Sequence, residues 1–248
     1  MSIKKVKLFK TPSLEENWIP LGVNTPSLPP LSLGIITAHL RGKGFDVDQD
    51  DLNQKVNNSN FHFGNKMDLS LLKDYERVIN FLKGHDDKEI QSLVDSMASL
   101  TSLDGFDVYL ISIGFARSFT NILSAILLCK YIKEVYDKPV ILGGEINNLL
   151  LKLNSEFFLF DYAILGSGEG AVHDLLLSLD SERSLDNIKG LVHWVKGKKV
   201  INEGSYLKLL IKPDFKGLPL DLYRWSPPKV LDKHIPDEKC NKILILPF

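Results

Sequence analysis

The chain has 248 residues, 44% hydrophobic and 25% charged, with 30 basic against 31 acidic side chains and a formal net charge of −1. That size and balance suit one large or two modest globular domains with a substantial core, and give no electrostatic case for nucleic acid or an anionic membrane. No apolar run approaches the roughly 18 residues that span a bilayer, no apolar segment follows the basic start MSIKKVKLFK to make a signal peptide, and Cys129 and Cys240 lack the spacing of a disulfide framework or zinc site. A soluble, cytoplasmic protein is the expectation.

The first strand is KKVKLF, Lys4 to Phe9. After a loop, PPLSLGIITAHLRGKG places Leu31, Ile35, Ile36 and Leu40 on one helical face, opened by Pro29-Pro30 and stopped by Gly42 and Gly44. FDVDQDDL, Phe45 to Leu52, is a second strand polar enough for a sheet edge. Residues 53–103 form a polar, helical insertion in which LSLLKDYERVINFL carries Leu72, Tyr75, Ile79 and Leu82 on one stripe. DVYLISIG, Asp107 to Gly114, is the near-continuous apolar run of a parallel strand buried on both faces. There follow the helix SFTNILSAILLCKYIKEVY, the strand PVILGG, a short helix from Asn147, the strand YAILGS and the helix GAVHDLLLSL. Strands alternating with helices imply a doubly wound, five-stranded parallel α/β sheet of Rossmann-like or flavodoxin-like type. IKGLVHWVKGKKVINEG then reads as a β-hairpin around Lys196-Gly197, its KGKK tip a solvated turn, before a proline-rich stretch.

Ligands of open parallel sheets bind beyond the carboxyl ends of the strands. Three of the loops there are small or glycine-rich: Ser112, Gly114, Arg117 and Ser118 after the third strand, Gly143, Gly144 and Glu145 after the fourth, and Gly166, Ser167, Gly168 and Glu169 after the fifth. Missing side chains let a ligand approach the backbone, whose N–H groups favour polar or anionic groups. Any one loop is explained by a tight turn; three along one sheet edge point to a shared ligand. Arg117 either holds an anionic ligand group or caps a helix. Gly166 to Ala171 also fits the G-x-G-x-x-G/A dinucleotide pattern, with Asp186 about 20 residues on, but that pattern belongs to the first strand–helix turn of its fold and here closes the repeat.

The order PPLSLGIITAHLRGKGFDVDQDDLN, DVYLISIGF, KPVILGGE, DYAILGSGEGAVHDLL and IKGLVHW resembles the cobalamin-binding domain that precedes the catalytic barrel in radical S-adenosylmethionine enzymes. PDFKGLPLDLYRW and KILILPF resemble that family's connector and approach to the barrel. The resemblance implies a cobalamin-binding domain over 1–180, and a hairpin and connector over 181–248 leading to a radical barrel in cis or in trans. It also implies methyltransferase-type chemistry, with the strand-end loops enclosing the nucleotide tail and lower face of the corrin. That assigns Ser112, Gly114, Gly143, Gly144, Gly166 and Gly168 to the cofactor, with Glu169 marking the helix start.

Two departures qualify what the resemblance implies. The loop KTPSLEENWIPLG after the first strand has no histidine, so bound cobalamin would lack a histidine lower ligand from that loop. His39-Leu40-Arg41-Gly42 matches H-x-x-G only by coincidence, late in a helix. Nor do these residues contain the Cys-x-x-x-Cys-x-x-Cys set whose thiolates hold a [4Fe–4S] cluster open to S-adenosylmethionine. That chemistry would need the barrel, and this polypeptide alone is expected to be catalytically incomplete. His62, His85, His173, His193 and His234 read as surface or satisfied structural histidines, and Trp194 and Trp225 as packing residues. A nucleotide- or NAD-binding domain and a cofactor-free scaffold docking on a radical barrel are the competing expectations.

Overall fold

The computed structural model describes residues 3–14, 29–56, 67–113, 119–144, 148–181, 183–206 and 209–223. Five strands run parallel: β1 (Lys5–Lys10), β2 (Asp46–Asp51), β3 (Val108–Ile113), β4 (Val140–Gly144) and β5 (Tyr162–Ile164). Their order, β2-β1-β3-β4-β5, is the flavodoxin-like one. β3 shows why the middle of the sheet reads as an unbroken apolar run. Val108 and Leu110 enter the core on one face, while Tyr109, Ile111 and Ile113 enter the core on the other. Helices α1 (Leu31–Gly42) and α6 (Gly168–Ser181) cover the first face. The second is covered by α2 (Tyr75–Leu82), α3 (Lys88–Ser99), α4 (Phe119–Tyr136) and α5 (Asn148–Phe157).

β2 is an edge strand, as its polar sequence anticipates. Its neighbour β1 hides a lysine: Lys7 is 1% exposed, its ammonium 2.6 Å from Asp48 and 5.4 Å from the centre of the Phe106 ring. Partnered on both sides, the charge tolerates a position that would exclude an isolated ammonium.

The hairpin is where the sequence pattern expected it, as β6 (Leu191–Val195) and β7 (Lys198–Ile201), with Lys196 and Gly197 at φ of 50° and 76° in the turn. It also continues the sheet. β6 pairs antiparallel with β5 through Ala163↔Val192 and Ile164↔Leu191, giving seven strands among the described residues. β5 itself is only three residues long, and the Leu165 N–H carries the same register one residue further by donating to the Gly190 carbonyl at 2.8 Å.

The insertion corrects one expectation. A single stripe through Leu72, Tyr75, Ile79 and Leu82 does not exist, because Asp74 ends a short 3-10 helix (Leu69–Lys73) and its carboxylate caps α2 by accepting from the Arg77 N–H at 3.1 Å. Val78, Phe81 and Leu82 are the buried residues of α2, and Tyr75 is 46% exposed.

Beyond the hairpin the chain returns across α1 and β2. Arg41 donates from Nη1 to Asp214 at 2.6 Å, and from Nε and Nη2 to the Val47 carbonyl at 3.2 and 2.6 Å. Gln49 Nε2 donates to the carbonyls of Asp214 and Lys216 at 2.7 and 3.0 Å. Tyr223 donates its hydroxyl to Asp51 at 2.7 Å; burial first, then the Asp51 carboxylate, raises the phenol far above its ordinary range. Gly34 is glycine because a Cβ there would lie 2.5 Å from the Phe215 ring.

Candidate functional site

The carboxyl ends of β3, β4 and β5 lie side by side. Gly143 stands in register between Ser112 and Ile164, on the α1/α6 side of the sheet together with Ile141. A Cβ placed on Gly143 meets no atom of the described residues within 4 Å, so none of them fills the place where a side chain would stand at the end of this central strand. Ser112 borders that space from β3 and is 8% exposed.

The neighbouring glycine differs in kind. Gly144 has a φ of 109°, and a Cβ there would overlap the Ile113 carbonyl oxygen, so the backbone itself demands glycine. At the end of β5, Gly166 has a φ of 83° and Gly168 is the first residue of α6, two positions earlier than the apolar period implied. Ser167 completes the turn. Glu169, 8% exposed, lies in the first turn of α6, where a carboxylate suits the positive end of the helix. Thus Ser112, Gly143, Gly144, Gly166, Ser167, Gly168 and Glu169 share one edge of the sheet. Gly114, Arg117, Ser118 and Glu145 lie outside the described residues.

No family model matches the chain, and no curated protein does. Among solved structures it is similar to the cobalamin-dependent S-adenosylmethionine radical enzyme OxsB with aqua-cobalamin and S-adenosylmethionine bound, at a TM-score of 0.51 and 16% identity over 83% of this chain and 23% of that one. It is similar as well to the radical S-adenosylmethionine methyltransferase TsrM from Kitasatospora setae with cobalamin and a [4Fe-4S] cluster bound, at a TM-score of 0.49 and 17% identity over 84% of this chain and 30% of that one. The likeness is one of fold. The chain spans less than a third of the length of either enzyme.

Sequence reasoning missed a set of small polar residues at the end of β1. Thr11, Ser13, Asn53, Thr120 and Asn121 are all buried there. Thr11 donates its hydroxyl to Asn121 Oδ1 at 2.9 Å, the Ser13 N–H donates to Asn53 Oδ1 at 2.9 Å, and the Leu14 N–H donates to Thr120 Oγ1 at 3.1 Å. Side chains from two other segments thereby fix the first residues of the β1 loop. The available signal was the pair Thr120-Asn121, polar residues interrupting an otherwise apolar helix.

The histidines divide. His85 Nδ1 lies 3.0 Å from the Asn80 carbonyl. His193 is 5% exposed and its Nε2 has no hydrogen-bond partner among the described residues, so the expectation of a satisfied structural histidine fails there. His173 does have an acidic neighbour, Asp174 Oδ1 at 3.2 Å from Nδ1, and its ring stands edge-on to His39 at 5.6 Å between α6 and α1. Burial, the His173 ring and Lys43 pull His39 below its ordinary value, against the opposing pull of Glu169 and Asp174. His62 and His234 lie outside the described residues. Among the described residues no group of three His, Cys, Asp or Glu side chains could hold a metal ion, and no helix is long and apolar enough to cross a membrane.

Cys129 is fully buried in α4, and burial holds its thiol well above the ordinary range, so it is inert as a nucleophile. Trp194 packs edge-on against Phe160 at 5.4 Å, as a packing residue should; Trp225 and Cys240 lie outside the described residues. Two surface depressions, of about 330 and 350 Å³, lie on the insertion, away from the strand ends. The first is lined by Arg77 and Asp87, which already pair with each other.

Proposed function

We propose that the chain is a cobalamin-binding module that works with a radical S-adenosylmethionine barrel, in cis or in trans. The observation that carries this reading is the space that the described residues leave at Gly143, beside Ser112, at the carboxyl edge of a 2-1-3-4-5 sheet. That is where this class of sheet takes a ligand, and the fold is shared with an enzyme solved with aqua-cobalamin bound. The residues present fit the group: a missing side chain on a central strand gives a large planar cofactor or its tail a way to the backbone. Ser112, Gly143, Gly144, Gly166, Ser167, Gly168 and Glu169 would hold it, with Gly114, Arg117, Ser118 and Glu145 proposed from the sequence to join them.

Bound cobalamin would supply alkyl transfer or rearrangement chemistry at cobalt, and the protein would position it and control its lower face. Residues 11–28, which follow β1, contain no histidine, so none from that loop would ligate the cobalt. The [4Fe–4S] cluster and S-adenosylmethionine belong to the barrel in this reading, as does the choice of substrate.

The test is an anaerobic titration of the full chain with hydroxocobalamin, followed by gel filtration and visible spectroscopy. Retained corrinoid without a nitrogenous lower ligand is the expected result. Gly143→Leu should abolish retention while leaving far-ultraviolet circular dichroism unchanged, because its Cβ has room. Gly144→Leu is the poorer probe, since overlap with Ile113 would damage the backbone as well. A folded wild-type chain that retains no corrinoid overturns the proposal. If it instead binds NAD saturably and loses that binding on Gly168→Val, the dinucleotide reading replaces it.

A further inference from the structure

The turn between β5 and α6 is gripped from outside by the chain on either side of the hairpin. The Leu165 N–H donates to the Gly190 carbonyl at 2.8 Å, and the Gly190 N–H donates in turn to the Asn202 carbonyl at 3.2 Å. Gly190 has a φ of 72°, and a Cβ on it would overlap the Leu165 carbonyl oxygen. Three residues further along, Ser205 Cβ lies 3.3 Å from where a Gly166 side chain would begin. Next comes Tyr206, whose ring lies flat against the helix start: a Cβ on Gly170 would stand 2.6 Å from Cδ1 and 3.1 Å from Cε1. The Tyr206 hydroxyl donates to Asp174 Oδ2, one turn further along α6, while Asp174 Oδ1 faces His173. Burial and the Asp174 hydrogen bond push that phenol up to about 12, so it stays a donor throughout the working pH range.

Two of the glycines in the GSGEG turn are therefore accounted for by the protein itself. Gly170 is small because a tyrosine ring lies on it, and Gly166 is small because of its backbone angle and Ser205. The open glycine is Gly143, one strand away. The segment Ser205–Tyr206 also lies in sequence between the hairpin and the stretch anchored on α1 and β2, and it touches the β5 turn through both Ser205 and the Tyr206 ring.

We infer that Tyr206 is a positioning residue: clamped between Gly170 and Asp174, it sets the conformation of the Gly166–Glu169 turn and so couples the connector to the ligand edge of the sheet. The coupling rests on the proposed corrinoid site, whereas the clamp stands without it. The full chain and its Tyr206→Ala, Tyr206→Phe, Gly170→Ala and Gly170→Ala/Tyr206→Ala variants serve as the test. Hydrogen exchange reads the clamp. The amides of residues 165–170 should exchange at least tenfold faster in Tyr206→Ala than in the wild type, with Tyr206→Phe between them because the ring still fills its seat. Unchanged exchange in Tyr206→Ala overturns the clamp.

Thermal melting supplies a reciprocity check. Gly170→Ala should lower the midpoint while Tyr206 is present and raise it in the Tyr206→Ala background, since alanine is the better helix former once the ring has gone. A decrease of equal size in both backgrounds overturns the ring contact. Hydroxocobalamin affinity and the visible spectrum of the retained corrinoid read the coupling: Tyr206→Ala should weaken binding about tenfold or more, and Tyr206→Phe should restore most of it. A wild type that binds alongside a Tyr206→Ala variant of equal affinity overturns the coupling alone. A wild type that does not bind overturns the coupling together with the functional reading, and the exchange and melting results then decide the clamp by themselves.

Discussion

The two ends of the candidate site are held in opposite ways. At β1, polar side chains reach in to fix the loop: Asn121 takes the Thr11 hydroxyl, Asn53 the Ser13 N–H and Thr120 the Leu14 N–H. At β5 the backbone is fixed by side chains that are missing, with Gly166, Gly170 and Gly190 letting Ser205, Tyr206 and Leu165 come within contact distance. Losing one of several hydrogen bonds at the first end leaves a distorted but packed loop. Adding one methyl group at the second end drives atoms into the Leu165 carbonyl at Gly190, and into the Ser205 and Tyr206 side chains at Gly166 and Gly170. The same site should therefore tolerate truncation on one side and resist enlargement on the other.

The sharpest way to break that comparison is Gly190→Ala, which combines a positive φ with overlap on the Leu165 carbonyl and should cost about 3 kcal/mol. Urea denaturation would read it as a lowered midpoint at unchanged slope, and a loss below about 1 kcal/mol would mean that the turn yields. Asn121→Leu should cost less, about 2 kcal/mol, by leaving the buried Thr11 hydroxyl, among the described residues, with the more distant carbonyl of residue 121 at 3.5 Å. Adding Thr11→Val should recover part of that loss, because an apolar pair strands no donor, and failure to recover would place the cost in packing instead.

The smallest effect belongs to the His39–His173 contact beside the β5 turn. With its folded value lowered, His39 takes up its proton more readily in the unfolded chain. Its contribution to stability is therefore complete above about pH 6.5 and declines as the pH falls toward the folded value. The urea midpoint should fall between pH 7.5 and 5.5, and His39→Gln should flatten that decline; an identical decline in the variant would place the titration elsewhere.

Much of the fold was legible because strands buried on both faces have to be apolar throughout, as β3 is, and because a strand with one open edge, such as β2, can carry aspartates. The partner of the hairpin was not legible. Which edge Leu191–Val195 joins depends on three residues of β5 and two paired positions, too short a stretch to carry a pattern. The break at Asp74 left a sequence signal, since an aspartate three residues before Arg77 is an ordinary helix cap, but the apolar spacing across it was read as one stripe. At the site, glycines were legible as positions needing no side chain, yet not for which neighbour. Gly143 faces open space while Gly170 faces Tyr206, 36 positions away in the chain, and only tertiary structure brings such a pair together. The roles of Arg41, Gln49 and Asp51 were not legible for the same reason: their partners are connector atoms more than 160 residues later.

Arg41 has a further consequence for how the molecule behaves among its own copies. Among the described residues, the open sheet could recruit a foreign strand at two places, the outer sides of β2 and β7. On β2, the Asp46 N–H is spent on the Lys4 carbonyl, which turns the Val47 carbonyl outward, and the Arg41 guanidinium occupies that carbonyl while also gripping Asp214. On β7, four residues beginning with Lys198 and Lys199 offer a short and positively charged border. Both margins of the sheet are thus closed to edge-to-edge growth, one by a side chain that also fastens the connector and the other by charge, so the protein is built against stacking into ribbons even where its connector is its most irregular part.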